Sequence, residues 1–219
     1  MSVPIVPAVI PPSRAALEAS FTDLAFADEL SIDVVDGAFV PFSSWPYEPS
    51  GEPRAVRHLL TTRTVEVDLM VTDQVAAARS WLAAGADMLV FHARGISPEA
   101  LAAVAADTNV SLGISILNDV SVDAIEPYLP SVDYIQFMGI AQIGAQGQPF
   151  DERVLAHVRT CKQRYPDYPI TVDGSVNAAT IPKLLAAGAD RLIVGSAIVK
   201  ADDPATAYAQ LTALVTNNR

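Results

Sequence analysis

Short runs of β-branched and other apolar residues alternate along the chain with stretches whose apolar positions recur at helical spacing. The runs PIVPAVI, ELSIDVV, TVEVDLM, DMLVFHA, VSLGISI, VDYIQFM, PITVDG and RLIVGS read as eight strands. Between and after them lie amphipathic stretches around residues 13–28, 51–61, 73–84, 97–106, 119–129, 150–164, 177–187 and 203–216, each led in by turn or capping residues. Strict alternation of strand and helix calls for a parallel sheet with right-handed crossovers, and eight strands are enough to close it into a barrel. The pattern therefore predicts a (β/α)8 TIM barrel, a single domain over residues 1–219, which is an ordinary length for that fold.

An internal repeat supports closure. WLAAGADMLVFHA at 81–93 and LLAAGADRLIVGSA at 184–197 share an LAAGAD turn followed by a strand, about half a chain apart. They fall on units four and eight of an eightfold structure. In each copy the glycine, Gly85 or Gly188, suits the left-handed position that ends a helix.

Composition narrows the function classes. The chain is 51% hydrophobic and 18% charged, with apolar runs of strand length rather than membrane length. MSVPIVPAVIPPSR opens apolar but has no basic leader, long apolar core or small-residue cleavage site, so it reads as a first strand and the chain as cytoplasmic. The lone Cys161 excludes an intrachain disulfide framework and fits a reducing compartment. A net charge of −11 argues against nucleic acid as a partner, because that binding rests on neutralising phosphates. An anionic small molecule needs local donors such as backbone N–H groups to overcome the overall field.

In barrels of this kind the chemistry sits at the C-terminal ends of the strands and in the loops that follow. Asp33 and Asp36 end the second strand, Asp68 the third and Asp173 the seventh, each in an apolar run where a charge is costly unless used or paired. A helix-capping role is the plainer expectation for Asp36 and Asp73. Asp33 and Asp173 lie three strands apart around the ring, so their side chains can oppose each other across the mouth. Such a pair suits proton abstraction beside a carbonyl and redelivery on the other face, through an enediolate. A second constellation comprises Gly144, Gly147, Gly174, Ser175, Gly195 and Ser196, from the loop IGAQGQPF and the strand ends DGSVN and GSA. Loops after the seventh and eighth strands commonly hold a phosphate on backbone N–H groups. Tight-turn geometry is the other use for these glycines.

At these residues the sequence resembles the ribulose-phosphate 3-epimerase family. The similarity runs through PAVI, IDVVDGAFVP, DLMVTD, VFHA, FMGIAQIGAQGQPF, VDGSV and GADRLIVGSAI, nearly the whole chain in order. The resemblance implies inversion at C3 between ribulose 5-phosphate and xylulose 5-phosphate, with a divalent metal. It implies Asp33 and Asp173 as the acid/base pair, with Met70 and Met138 lining the site. His92 would stand near the substrate, and Gly174, Ser175, Gly195 and Ser196 would hold the phosphate. A homo-oligomer is the family habit.

The departures concern the metal. Where the family has two histidine ligands this chain carries Ser31 and Asp68, and Ala8 replaces the usual serine of the first strand. The set that remains is Ser31, Asp33, Asp68 and Asp173. These oxygens would favour Mg2+ or Mn2+ over Zn2+ if they bind a cation. Without a cation, the three carboxylates would repel one another and raise at least one pKa. DLMVTD is also similar to the D-x-K-x-x-D signature of the sister decarboxylases and hexulose-phosphate synthases, with Met70 in place of the lysine. Three functions follow as expectations: an epimerase acting on a phosphorylated ketose, a lyase or synthase on the same scaffold, and a non-catalytic sugar-phosphate binder. Arg94 is a candidate anion contact, and Trp45 and Tyr47 are candidates to cover the mouth or to pack.

Overall fold

Eight parallel strands pair in chain order and close on one another in the computed structural model, which describes residues 3–144 and 147–217. They are β1 (Ile5–Val9), β2 (Glu29–Val35), β3 (Thr64–Met70), β4 (Met88–His92), β5 (Ser111–Ile116), β6 (Tyr134–Met138), β7 (Ile170–Asp173) and β8 (Arg191–Val194). Closure is made by β1 against β8, with Ile5 beside Leu192 and Pro7 beside Val194. The (β/α)8 expectation holds, with every expected strand in place.

The crossovers are α1 (Arg14–Asp23), α2 (Arg57–Leu60) after a 3₁₀ turn at Pro53–Val56, α3 (Gln74–Ala84), α4 (Pro98–Ala106), α5 (Arg153–Arg164) and α6 (Ile181–Ala187), then α7 (Ser196–Val199) and α8 (Pro204–Asn217) after β8. Starts follow local chemistry. Ser13, Asp73 and Ser97 each accept a backbone N–H in the first turn of α1, α3 and α4, satisfying one of the donors a helix leaves open there. One expectation fails in kind. The stretch read as a helix around 119–129 is a 3₁₀ run, Val122–Ser131, because Pro127 and Pro130 remove two N–H donors and crowd the preceding turn. It still buries Val122, Ile125 and Tyr128. The short α7 had no separate signal. No helix among the described residues is long and apolar enough to cross a membrane.

The LAAGAD repeat has a structural use. Gly85 and Gly188 cap α3 and α6 at φ 106° and 107°. The aspartate that follows reaches sideways to the start of the preceding strand. Asp87 accepts from Val65 N at 2.9 Å and Asp190 from Ile170 N at 2.9 Å. Asp133 does the same for Leu112 N at 2.8 Å, without the LAAGA prefix that would have marked it.

Strand alternation then sorts the side chains. Residues such as Ile32, Val34, Val67, Leu69, Phe91, Ile114, Phe137 and Val172 face outward into one large apolar layer under the helices. The inner face is unusually polar: Ser31, Asp33, Glu66, Asp68, His92, Gln136, Thr171, Asp173 and Arg191 are all buried. At its lower level Glu66 is the hub. It accepts from Ser31 Oγ on one oxygen and, on the other, from Tyr134 Oη at 2.7 Å and an Arg191 nitrogen at 2.7 Å. Arg191 also pairs with Glu29. Gly113 leaves space for the Tyr134 ring, which a Cβ there would strike at 2.4 Å.

Removing Glu66 would strand the buried Arg191 charge with Glu29 alone. Glu66→Ala is expected to destabilise the fold by about 3–5 kcal/mol in urea unfolding, as for other broken buried ion pairs. A loss under about 1 kcal/mol would show that Arg191 reaches water.

Candidate active site

Two residues further along each strand from that hub, the barrel carries its carboxylates. The β2–β3 register places Asp33 beside Asp68, and the β6–β7 register places Asp173 beside Met138. Asp33 and Asp173 line one cavity of about 300 Å³ at the C-terminal mouth, so two side chains separated by 140 positions meet at a single opening. Ala8, Met70, Met138, Ile140, Gly144, Gly147, Gly174, Ser175, Gly195 and Ser196 line the same cavity. All the expected acid/base and phosphate-side residues are therefore brought together.

The electrostatics of the pair are set by confinement. Burial raises Asp33 well above the ordinary carboxylate range, and Asp173, Asp68 and Glu66 raise it further by repulsion. Burial and then the Asp68 charge raise Asp173 to about 8, against the opposing pull of the Gly174 backbone N–H. Two such groups at one opening keep a proton between them where isolated aspartates would have lost both. Asp33 Oδ1 is buried and has no hydrogen-bond partner among the described residues. A substrate hydroxyl is the kind of group that would satisfy it.

The metal set does not assemble. Asp68 does not line the cavity. Its Oδ1 lies 2.6 Å from His92 Nε2 and its Oδ2 accepts from Gln136 Nε2 at 2.8 Å. Ser31 gives its hydroxyl proton to Glu66, one level down. Among the described residues no three His, Cys, Asp or Glu side chains converge so as to hold a metal ion. Asp33 and Asp173 line the cavity while Asp68 is held behind it, so the expected ligands Ser31, Asp33, Asp68 and Asp173 are not brought to one point.

His92 also stands elsewhere than expected. It is 2% exposed, absent from the cavity wall, and committed to Asp68. Gln74 at the start of α3 clamps its backbone, accepting from His92 N and donating to His92 O. The Phe39 ring packs on its edge at 5.6 Å. Gln74 and Gln136 were not singled out in the sequence, because a glutamine in an amphipathic helix or a strand carries no motif.

The wall expected to face a phosphate rests on backbone shape. Gly174 and Ser175 both have positive φ, 96° and 53°, a conformation costly for serine that the surrounding structure must hold. Asn177 and Thr180 do so by donating to the Ser175 carbonyl. A Cβ on Gly174 would press Ile140 at 2.8 Å. Gly195 and Ser196 lead into α7 on the adjoining strand. Gly144 has φ 90°, and a Cβ there would drive into Val40. Of its loop, Ala145 and Gln146 lie outside the described residues. Gln148 and Asn177 complete the polar wall. Their only sequence signal was proximity to the glycines.

Other candidates resolve into structure. Asp36 accepts from Ala38, Phe39 and Thr72 N–H groups and ties two mouth loops together. Asp73 caps α3. Arg94 donates to the Phe39 carbonyl and stacks over its ring at 4.0 Å. Trp45 is 2% exposed and packs edge-on against Trp81, so it anchors rather than covers. Tyr47, at 37%, is exposed. Cys161 is buried, and burial pushes its thiol up to about 12.

Likeness to known proteins agrees with this geometry. The model of the ribulose-phosphate 3 epimerase family matches residues 5–199. The chain belongs to that family. A ribulose-phosphate 3-epimerase of Mycobacterium leprae (strain TN) is 31% identical over 214 residues, covering 94% of this chain and 92% of that one. A putative epimerase LsrE of Salmonella paratyphi A (strain ATCC 9150 / SARB42) is 29% identical over 187 residues, 79% of this chain and 71% of that one. Among solved structures, a 3-hexulose-6-phosphate synthase superposes with a TM-score of 0.71 at 22% identity, covering 98% of this chain and all of the other. A KGPDC of Streptococcus mutans gives 0.74 at 13% identity, covering 99% of both. At such identities these two speak for the fold, which the epimerase family shares with enzymes of other names.

The confined carboxylates carry a stability consequence. A carboxyl held above its unfolded value keeps a proton in the folded chain that the unfolded chain has released, so stability falls as pH rises from about 4 to about 8. Asp173→Asn is expected to flatten that slope and to be more stable than the natural chain by about 0.5–2 kcal/mol near the top of the window. Thermal melts of both proteins across the window check this. A parallel pH dependence in the two would mean that Asp173 titrates like an exposed group.

Proposed function

We propose that the chain is an isomerase that inverts the carbon next to the carbonyl of a phosphorylated ketose, of the ribulose 5-phosphate/xylulose 5-phosphate type. The observation that carries this is the sharing of one cavity by two buried carboxylates, both pushed upward in pKa by burial and by neighbouring carboxylate charges, and a glycine- and serine-rich wall. One aspartate in its charged form takes the proton from C3. The C–H electron pair moves into the C2–C3 bond, and the carbonyl electrons move onto oxygen as an enediolate. The other aspartate, carrying its proton, delivers it to C3 from the opposite face, and the roles are exchanged for the return reaction.

The rest of the wall fits the task. Met70 and Met138, with Val35, Val40, Ile140 and Ile143, form an apolar cluster over the carboxylates. A dry setting strengthens the electrostatics and limits escape of protons. Ser175 and Ser196 stand where the phosphate would lie, at the ends of β7 and β8. A synthase or lyase on the same scaffold finds no lysine at Met70, where the sister enzymes carry one, and no other residue of the cavity speaks for it.

Proton NMR of ribulose 5-phosphate in D2O is the direct test. Deuterium is expected at C3 together with appearance of xylulose 5-phosphate, and Asp33→Asn or Asp173→Asn should each slow the exchange by about 10²–10⁴-fold. Binding of the sugar phosphate without exchange would instead make the chain a non-catalytic binder.

The phosphate assignment has its own check. Ser196→Asp places a like charge beside the bound anion and is expected to raise KM for the phosphorylated ketose by roughly tenfold or more with a smaller effect on kcat. An unchanged KM would move the phosphate to another part of the wall.

A further inference from the structure

The resemblance to the epimerases implies a divalent cation at the mouth, with Ser31 and Asp68 standing at two of its ligand positions. We propose that this chain holds no resident divalent cation, and that Asp68, turned onto His92 and Gln136, serves as a hydrogen-bonded anchor in the barrel wall instead of a ligand. The proposal concerns how the epimerase reading is realised at this site, and rests on that reading only for its catalytic consequence.

Three observations carry it. First, the oxygens of Asp68 are taken from two sides. At 2.6 Å a proton must lie between His92 Nε2 and Oδ1, and the Gln136 amide occupies Oδ2. Both partners are themselves fixed, His92 by the Gln74 clamp on its backbone and Gln136 by its place in β6. Rotating Asp68 toward the cavity would leave two buried donors without acceptors, at about 1–3 kcal/mol each. Second, Ser31 stands level with Glu66, two residues below Asp33, and donates to it, while the other Glu66 oxygen receives Tyr134 and Arg191. A ligand at that position would compete with the network that neutralises Arg191. Third, among the described residues the carboxylates that line the cavity are Asp33 and Asp173 alone, two of the four ligand positions that the resemblance implies.

His92 Nε2 and the Gln136 amide hold Asp68 behind the cavity, one on each oxygen. His92 and Gln136 are positioning residues, since neither lines the cavity.

The full-length protein is purified, its metal content measured, then dialysed against EDTA and titrated with Mn2+ under electron paramagnetic resonance. Substoichiometric metal as isolated and an unbroken free-Mn2+ signal on titration are expected. Deuterium exchange into ribulose 5-phosphate should change by less than about twofold between EDTA and added Mn2+. One equivalent of bound Mn2+ would overturn the proposal, and its loss in Asp68→Asn would make Asp68 a ligand after all. If no ketose phosphate exchanges under any condition, the epimerase reading fails, while the resonance titration by itself still decides whether a cation is held.

Discussion

Closing eight strands into a ring turns half of their side chains toward a space with little water, and in this chain much of that space is filled with charge. The constraint that follows is that every inward carboxylate must find a partner, keep a proton, or wait for a ligand. Each of the three outcomes is present. Glu66 finds Arg191, Tyr134 and Ser31; Asp68 finds His92 and Gln136; Asp33 and Asp173 keep a proton at the mouth. Among these carboxylates the gradation runs along the barrel axis, from Glu66 paired on both oxygens at the floor to the orphaned Asp33 oxygen at the top. The proposed chemistry sits where pairing is incomplete.

This arrangement would also let a site depart from the pattern that the resemblance implies while the barrel stays intact. Outward residues carry the apolar layer, and they are untouched by exchanges on the inner face. An imidazole that would reach a cation from β2 or β3 can be replaced by serine or aspartate, provided the floor and wall supply acceptors and donors for the newcomers. Gln136 and Glu66 do so here, each from an inward position two residues below or above another functional level.

The fold was legible because period and alternation are read along the chain, one element at a time. All eight strands could be placed from their apolar runs, and the LAAGAD repeat located units four and eight. The carboxylate pair and the glycine wall were legible because barrel topology dictates which strand ends meet. What could not be read is who holds whom across the interior. The His92 to Asp68 contact joins residues 24 apart, and Gln136 reaches Asp68 from 68 positions away. Neither spacing has a sequence signature, so His92 looked like a substrate contact and Asp68 like a metal ligand. The β5–β6 crossover was misread for a simpler reason, since its apolar spacing is helical and only the two prolines decide otherwise.

The aspartates just before β4, β6 and β8, Asp87, Asp133 and Asp190, each peg an N–H in the first two residues of the strand before them. They work at the rim opposite the cavity, and so register is locked at the end of the barrel that does no chemistry. Loops at the mouth can then be lengthened, shortened or rewritten without sliding one strand against the next. In this fold the freedom to acquire new substrates is underwritten by three short side chains that never meet one.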